Sequence, residues 1–474
     1  MELIQVLNPE EVAGFQKYLD TRFPSTGTSR KHLKNLFNLI EAERPEFSDD
    51  KLNIKYLYIC VYGNEKHVKG KLDKAMTELA QHIRNYIIFQ ENQKSFNIFA
   101  QWLQWSIWLR AKGLEERYQK AVEKMEYLLL QSPVQDISYF QKRLLLEQEK
   151  HEQLGLANQK RGDVNLPSVL KFLDINYQLL RLEYLNRLQL QQKVTILQLD
   201  ESVNPQFIHP EIPQTNLDEI PALYAKFTIN KLLKHKIPPQ QEVEEFTDWL
   251  KLHESDLGID SCYRFWAYLR GMYTIILNTG KTEVLPKLHQ IHRENLEKGY
   301  LFYQGKLSPS AYKNVTFIAN AAKHHDWAMW FVETYKDQII GENETMGFYK
   351  FNLASCYFEK KAFEKALDIL PVTSSYSDYN ISGKVLEIKL YYELNSELLP
   401  YKIDAFKMYV HRASKNLLSE SKKELLLNFI NILQQIYLSP KGGTTRAHQI
   451  LSRIERKKAV AEKTWLREKV QDLL

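Results

Sequence analysis

The chain has 474 residues, with 64 Lys and Arg against 58 Asp and Glu and a formal net charge of +6. Its 17 Gly and 16 Pro fall below average usage of roughly 7% and 5%, its three cysteines (Cys60, Cys262, Cys356) are far apart, and it holds no run of about 18 apolar residues. These features exclude a disulfide framework, a cysteine-rich zinc module and a membrane span, and they favour long helices joined by short turns.

The charge excess is local. Residues 439–474 carry nine Lys or Arg and four Asp or Glu, while residues 1–90 carry 13 and 12. That differs from the broadly basic surface of a dedicated nucleic-acid binder. The opening Met1–Gln5 has no basic stretch followed by an apolar core. With unpaired cysteines, this leads to an expected cytoplasmic location, and the sequons at Asn314, Asn343 and Asn380 are expected to be chance.

In chain order, Asn8-Pro9-Glu10-Glu11 reads as a capping box with Pro at the first helical position, followed by the stripe Val12, Phe15, Leu19. Pro24 and Gly27 are expected to end this helix. A second helix from about Ser29 carries Leu33, Leu36, Phe37 and Ile40, and Pro45 stops it. A third runs from Asn53 to Tyr62 and is closed by Gly63 in a left-handed cap. A fourth begins near Asn64, with Val68, Leu72, Met76, Leu79, Ile83 and Ile87 on one face. Residues 1–90 are thus expected to form a four-helix domain.

Residues 91–200 form a long-helix segment. Trp102, Trp105 and Trp108 share one helical face and are expected in the core, and a later helix carries the stripe Leu170, Leu173, Tyr177, Leu180, Tyr184, Leu188. Four prolines at 205, 210, 213 and 221 make residues 201–221 an expected connection.

Residues 222–474 hold the repeat signal. Phe351–Leu367 closely resembles a tetratricopeptide (TPR) repeat. Leu353, Ala354 and Tyr357 match its first helix and Phe363 and Ala366 its second, the alanines being small where two helices cross. An upstream pair aligns His325-Asp326-Trp327 with Lys361-Ala362-Phe363, which sets Trp330 where a small residue is expected. A downstream pair places Tyr391, 34 residues on, in the position of Tyr357. The last 30 residues, with Ile450, Ile454, Trp465, Leu466, Val470 and Leu473, suit a solenoid cap. The expected fold is therefore all-α: an N-terminal helical domain followed by a TPR-like right-handed α-solenoid of stacked helix pairs.

Pieces spread along the chain add a family resemblance. Leu7-Asn-Pro-Glu-Glu-Val-Ala-Gly-Phe-Gln-Lys-Tyr-Leu19, then Leu173-Asp174, Tyr177 and Leu182-Glu183, and finally Ala461-Glu-Lys-Thr-Trp465-Leu466 are similar to the opening, middle and closing segments of a helical repeat family from the Bacteroidetes. The resemblance implies the architecture and carries no assigned activity.

No motif for chemistry stands out. Gly70-Lys71 lacks both a first glycine (Glu65 stands there) and a following Ser or Thr, so it is no phosphate loop. His289 and His292 with Glu294 have the spacing of metal ligands but no third partner; they are expected to be exposed or capping. His324-His325-Asp326 is expected at a surface turn, and Cys356 as an inert buried thiol. Asp49-Asp50 and Glu244-Glu245 read as solvated charge. No metal, cofactor or catalytic residue is expected. A concave TPR-like surface would bind a protein or peptide, with Lys350, Asn352, Ser355 and Lys389 as candidate contacts. The alternative is a nucleic-acid-associated regulator whose N-terminal domain is helix-turn-helix-like. It rests on Lys66, His67, Lys69, Lys71 and Lys74 at the start of the fourth helix, and it requires a strand pair after Ile88.

Overall fold

The computed structural model describes residues 2–21, 28–44, 47, 52–63, 68–94, 98–157, 165–194, 219–341, 344–371, 377–414, 418, 420–440, 442–457 and 459–474. The stops expected at Pro24, Gly27 and Pro45, the acids Asp49 and Asp50, the residues Asn64, Glu65, Lys66 and His67, the sequon at Asn343 and nearly all of the proline-containing connection lie outside them. The described residues form 22 α-helices and three short 3-10 turns, with isolated β-bridges but no strand. The chain divides into two compact units, Met1–Leu128 and Leu129–Leu474.

The first unit contains α1 (Glu2–Gln5), α2 (Pro9–Thr21), α3 (Thr28–Glu41), α4 (Ile54–Tyr62), α5 (Lys71–Lys94), α6 (Ile98–Ala111) and most of α7 (Glu115–Leu130). The capping box forms as read: Asn8 N donates to Glu11 Oε2 and Glu11 N donates to Asn8 Oδ1, each at 2.9 Å. Asn53 caps α4 by accepting from Tyr56 N, and Gly63 closes it at φ 67°, a conformation that costs a β-carbon-bearing residue. Val12, Phe15, Leu33, Leu36, Phe37, Ile40, Leu57, Val61, Leu72, Leu79 and Ile83 make one core.

Two expectations change in this unit. The fourth helix starts at Lys71, after Gly70 at φ 80°, so Val68 lies before it and is exposed. Of the tryptophans of α6 expected in the core, Trp102 is half-buried, while Trp105 and Trp108 are exposed and stack on each other at 5.0 Å; Phe99 and Leu109 face inward. The helix is apolar nearly all round, so spacing alone does not identify its inner face.

The second unit begins with α8 (Ile137–Ala157), α9 (Leu166–Val194), α10 (Pro221–Lys234), α11 (Gln240–Leu252), α12 (Ile259–Leu277) and α13 (Leu285–Glu297). Helix α9 packs between α8 and α10 through Ile175, Leu179 and Leu182. The stripe read from its sequence is the outer row instead: Leu170, Leu173, Tyr177, Leu180 and Tyr184 are exposed. This helix has two apolar rows, and α8 and α10 take the other.

Three helix pairs follow: α14 (Pro309–Ala321) with α15 (His325–Tyr335), α16 (Thr345–Glu359) with α17 (Phe363–Ile369), and α18 (Ser377–Glu393) with α19 (Leu399–Arg412). Each pair turns in the same way. Lys323, Lys361 and Asn395 have φ of 64°, 59° and 49°. The next residue, His324, Ala362 or Ser396, donates its N–H to the carbonyl of Ala319, Tyr357 or Tyr391. The Tyr357/Tyr391 equivalence at 34 residues therefore stands. The upstream equivalence does not: Lys323 matches Lys361, an offset of 38. Ala328 then takes the place of Ala366. Both are fully buried, and Trp330 is half-exposed beyond the crossing. The small residue that the crossing needs is present, two positions before the expected one.

The chain closes with α20 (Glu420–Tyr437), α21 (Thr444–Arg456) and α22 (Lys463–Gln471). Ile450, Ile454, Trp465, Leu466, Val470 and Leu473 are all buried, joining the core of the three pairs. No helix among the described residues is long and apolar enough to cross a membrane.

Candidate functional site

The four residues singled out for a concave surface do not form one. Lys350 is exposed on α16. Asn352, 1% exposed, donates its amide to Phe348 O and Tyr379 Oη at 2.8 and 3.1 Å. Ser355 is half-buried and bonds back to Phe351 O. Lys389 is buried on an ion pair with Glu462 at 2.6 Å, beneath the rings of Phe358 and Trp465. Asn352 and Lys389 thus complete their bonding inside the fold. Tyr379 Oη also donates to Pro309 O, and Lys313 reaches Ser382 at 2.6 Å, so α14, α16 and α18 close on one another where an open groove was expected. Farther along α18, Trp465 Nε1 and Lys469 Nζ bond Glu393, so the chain's last helix covers that stretch.

An open site lies instead between α16, α17, α18 and α19, a cleft of about 410 Å3. Phe351, Leu367, Leu370 and Tyr379 supply apolar wall, and Lys384, Glu387, Tyr391 and Lys402 supply polar wall. Lys402 Nζ sits 2.7 Å from Glu387 Oε1 and above the Tyr391 ring. That hydrogen bond to Glu387 raises the Lys402 pKa and keeps the ammonium charged. Lys384 lies over the Tyr409 ring. Asn380 Oδ1 is withdrawn from solvent and accepts no hydrogen bond from the described residues.

Two wall positions are glycines in helices, Gly347 in α16 and Gly383 in α18, and a β-carbon on either would meet nothing within 4 Å. A helix-interior glycine costs roughly 0.5–1 kcal/mol relative to alanine. Packing and backbone conformation do not call for it at Gly383. A β-carbon there would extend into open space beside the wall.

The titratable groups outside the cleft have structural explanations. His289 and His292, expected at the surface, are each 4% exposed in α13. Burial, with His324 beside it, lowers the His289 pKa to about 4, and burial with Arg270 adjacent lowers that of His292 well below its ordinary value. Both are neutral core residues. No cluster of three metal-ligating side chains occurs among the described residues. Burial pushes the Cys356 thiol up to about 11, which disfavours the nucleophilic thiolate. Glu183 is buried, which alone would raise its pKa; the ion pair and hydrogen bond from Lys226, with Arg187, outweigh that and hold it ionised.

At the N-terminal side, α5 continues to Lys94 and α6 starts at Ile98, so the described residues after Ile88 are helical rather than a strand pair. Lys69 lies in the turn before α5, while Lys71 and Lys74 are in its first turn. No family model matches the chain, and no curated protein or solved structure does either.

Proposed function

We propose that the protein is a non-enzymatic protein-interaction scaffold of the cytoplasm. Residues 222–474 act as a TPR-like right-handed α-solenoid, and a segment of a protein partner docks in the cleft between α16 and α19. The observation that carries this reading is the pair of helical glycines, Gly347 and Gly383, with open space above them in a wall that has an apolar part and a charged part. Asn380 Oδ1 adds a recognition element, since a buried acceptor without a partner favours a ligand that brings an N–H donor. The fitting ligand is a peptide or helix face with one apolar anchor, a donor beside it, and polar groups toward Lys384, Glu387 and Lys402. Glu387 holds the Lys402 amine as a charged ammonium rather than a free nucleophile, which supports binding over catalysis.

The test separates stability from binding. Gly383→Ala relieves a helix penalty without a clash, so it is expected to stabilise the chain by about 0.5–1 kcal/mol in denaturant unfolding. The same methyl group narrows the cleft, so partner capture by the tagged full-length chain from its native cell is expected to fall. A variant that gains stability and keeps its partner contradicts the reading. Partners lost to nuclease or moderate salt also contradict it, since they would point to nucleic acid.

A further inference from the structure

The outer row of α9 runs Leu166, Leu170, Leu173, Tyr177, Leu180, Tyr184, steps of four and three residues in alternation. These six are between 37% and 65% exposed. Single exposed apolar side chains are ordinary, but an uninterrupted row at heptad spacing over five turns is the seam of a coiled coil without its second strand. The remaining faces of α9 are already packed by α8 and α10, so the row is a straight ridge on a fixed support.

We infer that this ridge pairs antiparallel with the same ridge of a second copy of the chain. Charge favours self-pairing. Beside the seam on one flank stand Asp174 and Arg181, one heptad apart and opposite in sign, Asp174 exposed and Arg181 half-buried over the Tyr177 ring. In an antiparallel pair, corresponding flanks face each other. One register sets Tyr177 against Leu180 of the second copy and Leu173 against its Tyr184. That register brings Asp174 opposite Arg181 twice about the two-fold axis, and lays Leu170 along the stem of Arg187. Sliding by one heptad gains a contact for Leu166 but sets Asp174 against Asp174, so charge selects the first register. A parallel pair brings neither charge to an opposite. Half-exposed Leu and Tyr side chains from two copies remove on the order of 1,000 Å2 from water, the lower bound for a specific interface. Self-association in the micromolar range fits that size.

Sedimentation equilibrium of the full-length chain across micromolar concentrations is expected to give a monomer–dimer equilibrium. Tyr177→Glu should yield monomer with unchanged helical circular dichroism. Asp174→Arg alone should weaken the dimer at least tenfold, and Asp174→Arg with Arg181→Asp should restore it. In a Cys60→Ser background, Asp174→Cys with Arg181→Cys should link two chains by a disulfide on oxidation, while Asp174→Cys alone should not. A chain that stays monomeric at every concentration overturns the inference, as does a dimer indifferent to Tyr177→Glu, or ready self-linking of Asp174→Cys. A monomer whose ridge takes up a different protein overturns it too.

Discussion

Glu183 of α9 and Lys226 of α10 form a buried ion pair, each less than a tenth exposed, with Arg187 bonding the same carboxylate at 2.7 Å. Such a pair contributes little relative to a hydrophobic replacement of both partners, but removing one partner strands a buried charge. Lys226→Ala is therefore expected to destabilise the second unit by about 3–5 kcal/mol in denaturant unfolding, more than Arg187→Ala, whose side chain is half-exposed. None of this was legible in the sequence, because Glu183 and Lys226 are 43 residues apart and nothing in their local pattern marks either as buried. The same holds for Asn352 and Lys389. Motif geometry placed them beside core positions, and the partners that occupy them come from elsewhere, Tyr379 from α18 and Glu462 from the turn before α22. Gly383, which lines the open cleft within α18, carries no local signal that sets it apart from the other glycines of the sequence. What makes it informative is the space above it, which exists only in the assembled fold.

Helix α13 shows how an element sets protonation. His289 and His292 face the interior, near Arg270 of α12 and His324 of the turn between α14 and α15, so folding holds both neutral. Their folded pKa values lie below the ordinary 6.5, so the unfolded chain binds more protons in that range. The stability they contribute is complete above pH 6.5 and is lost as pH falls toward 4. Unfolding free energy measured across this window is expected to decline with pH, and His292→Leu is expected to make the decline shallower. The helix pairs offer a second test at this scale. If Ala328 is the crossing residue of the first pair, Ala328→Leu overpacks a closed contact and costs about 1–3 kcal/mol, while Trp330→Ala, at a half-exposed position, costs less. The reverse order would restore the 36-residue alignment. Helix starts with side-chain caps, such as Asn8 and Asn53, were readable because their signals are local. Faces were not readable in α6, which is apolar nearly all round, or in α9, which has two apolar rows: Trp105 and Trp108, expected in the core, are exposed, and so is most of the row read from α9.

Across the whole molecule, the class of fold was legible because helical period, scarce glycine and proline, and one well-matched repeat all agree. The division at Leu128/Leu129 was not marked by composition, since it falls inside the sequence of α7. In the second unit the helix pairs share one turn geometry, and α20 to α22 add a capping layer whose last helix bonds Glu393 through Trp465 and Lys469. α14, α16 and α18 close on one another and the last helix covers part of α18, while the cleft between α16 and α19 stays open and is the place proposed here for a partner segment. The most direct measurement is site-specific photo-crosslinking in the native cell, with a benzoyl-phenylalanine analogue introduced at Lys384 on the cleft wall. A discrete protein adduct that survives nuclease and disappears when Gly383→Ala is added is the expected result. No protein adduct, a nucleic-acid adduct, or an adduct indifferent to Gly383→Ala would contradict it.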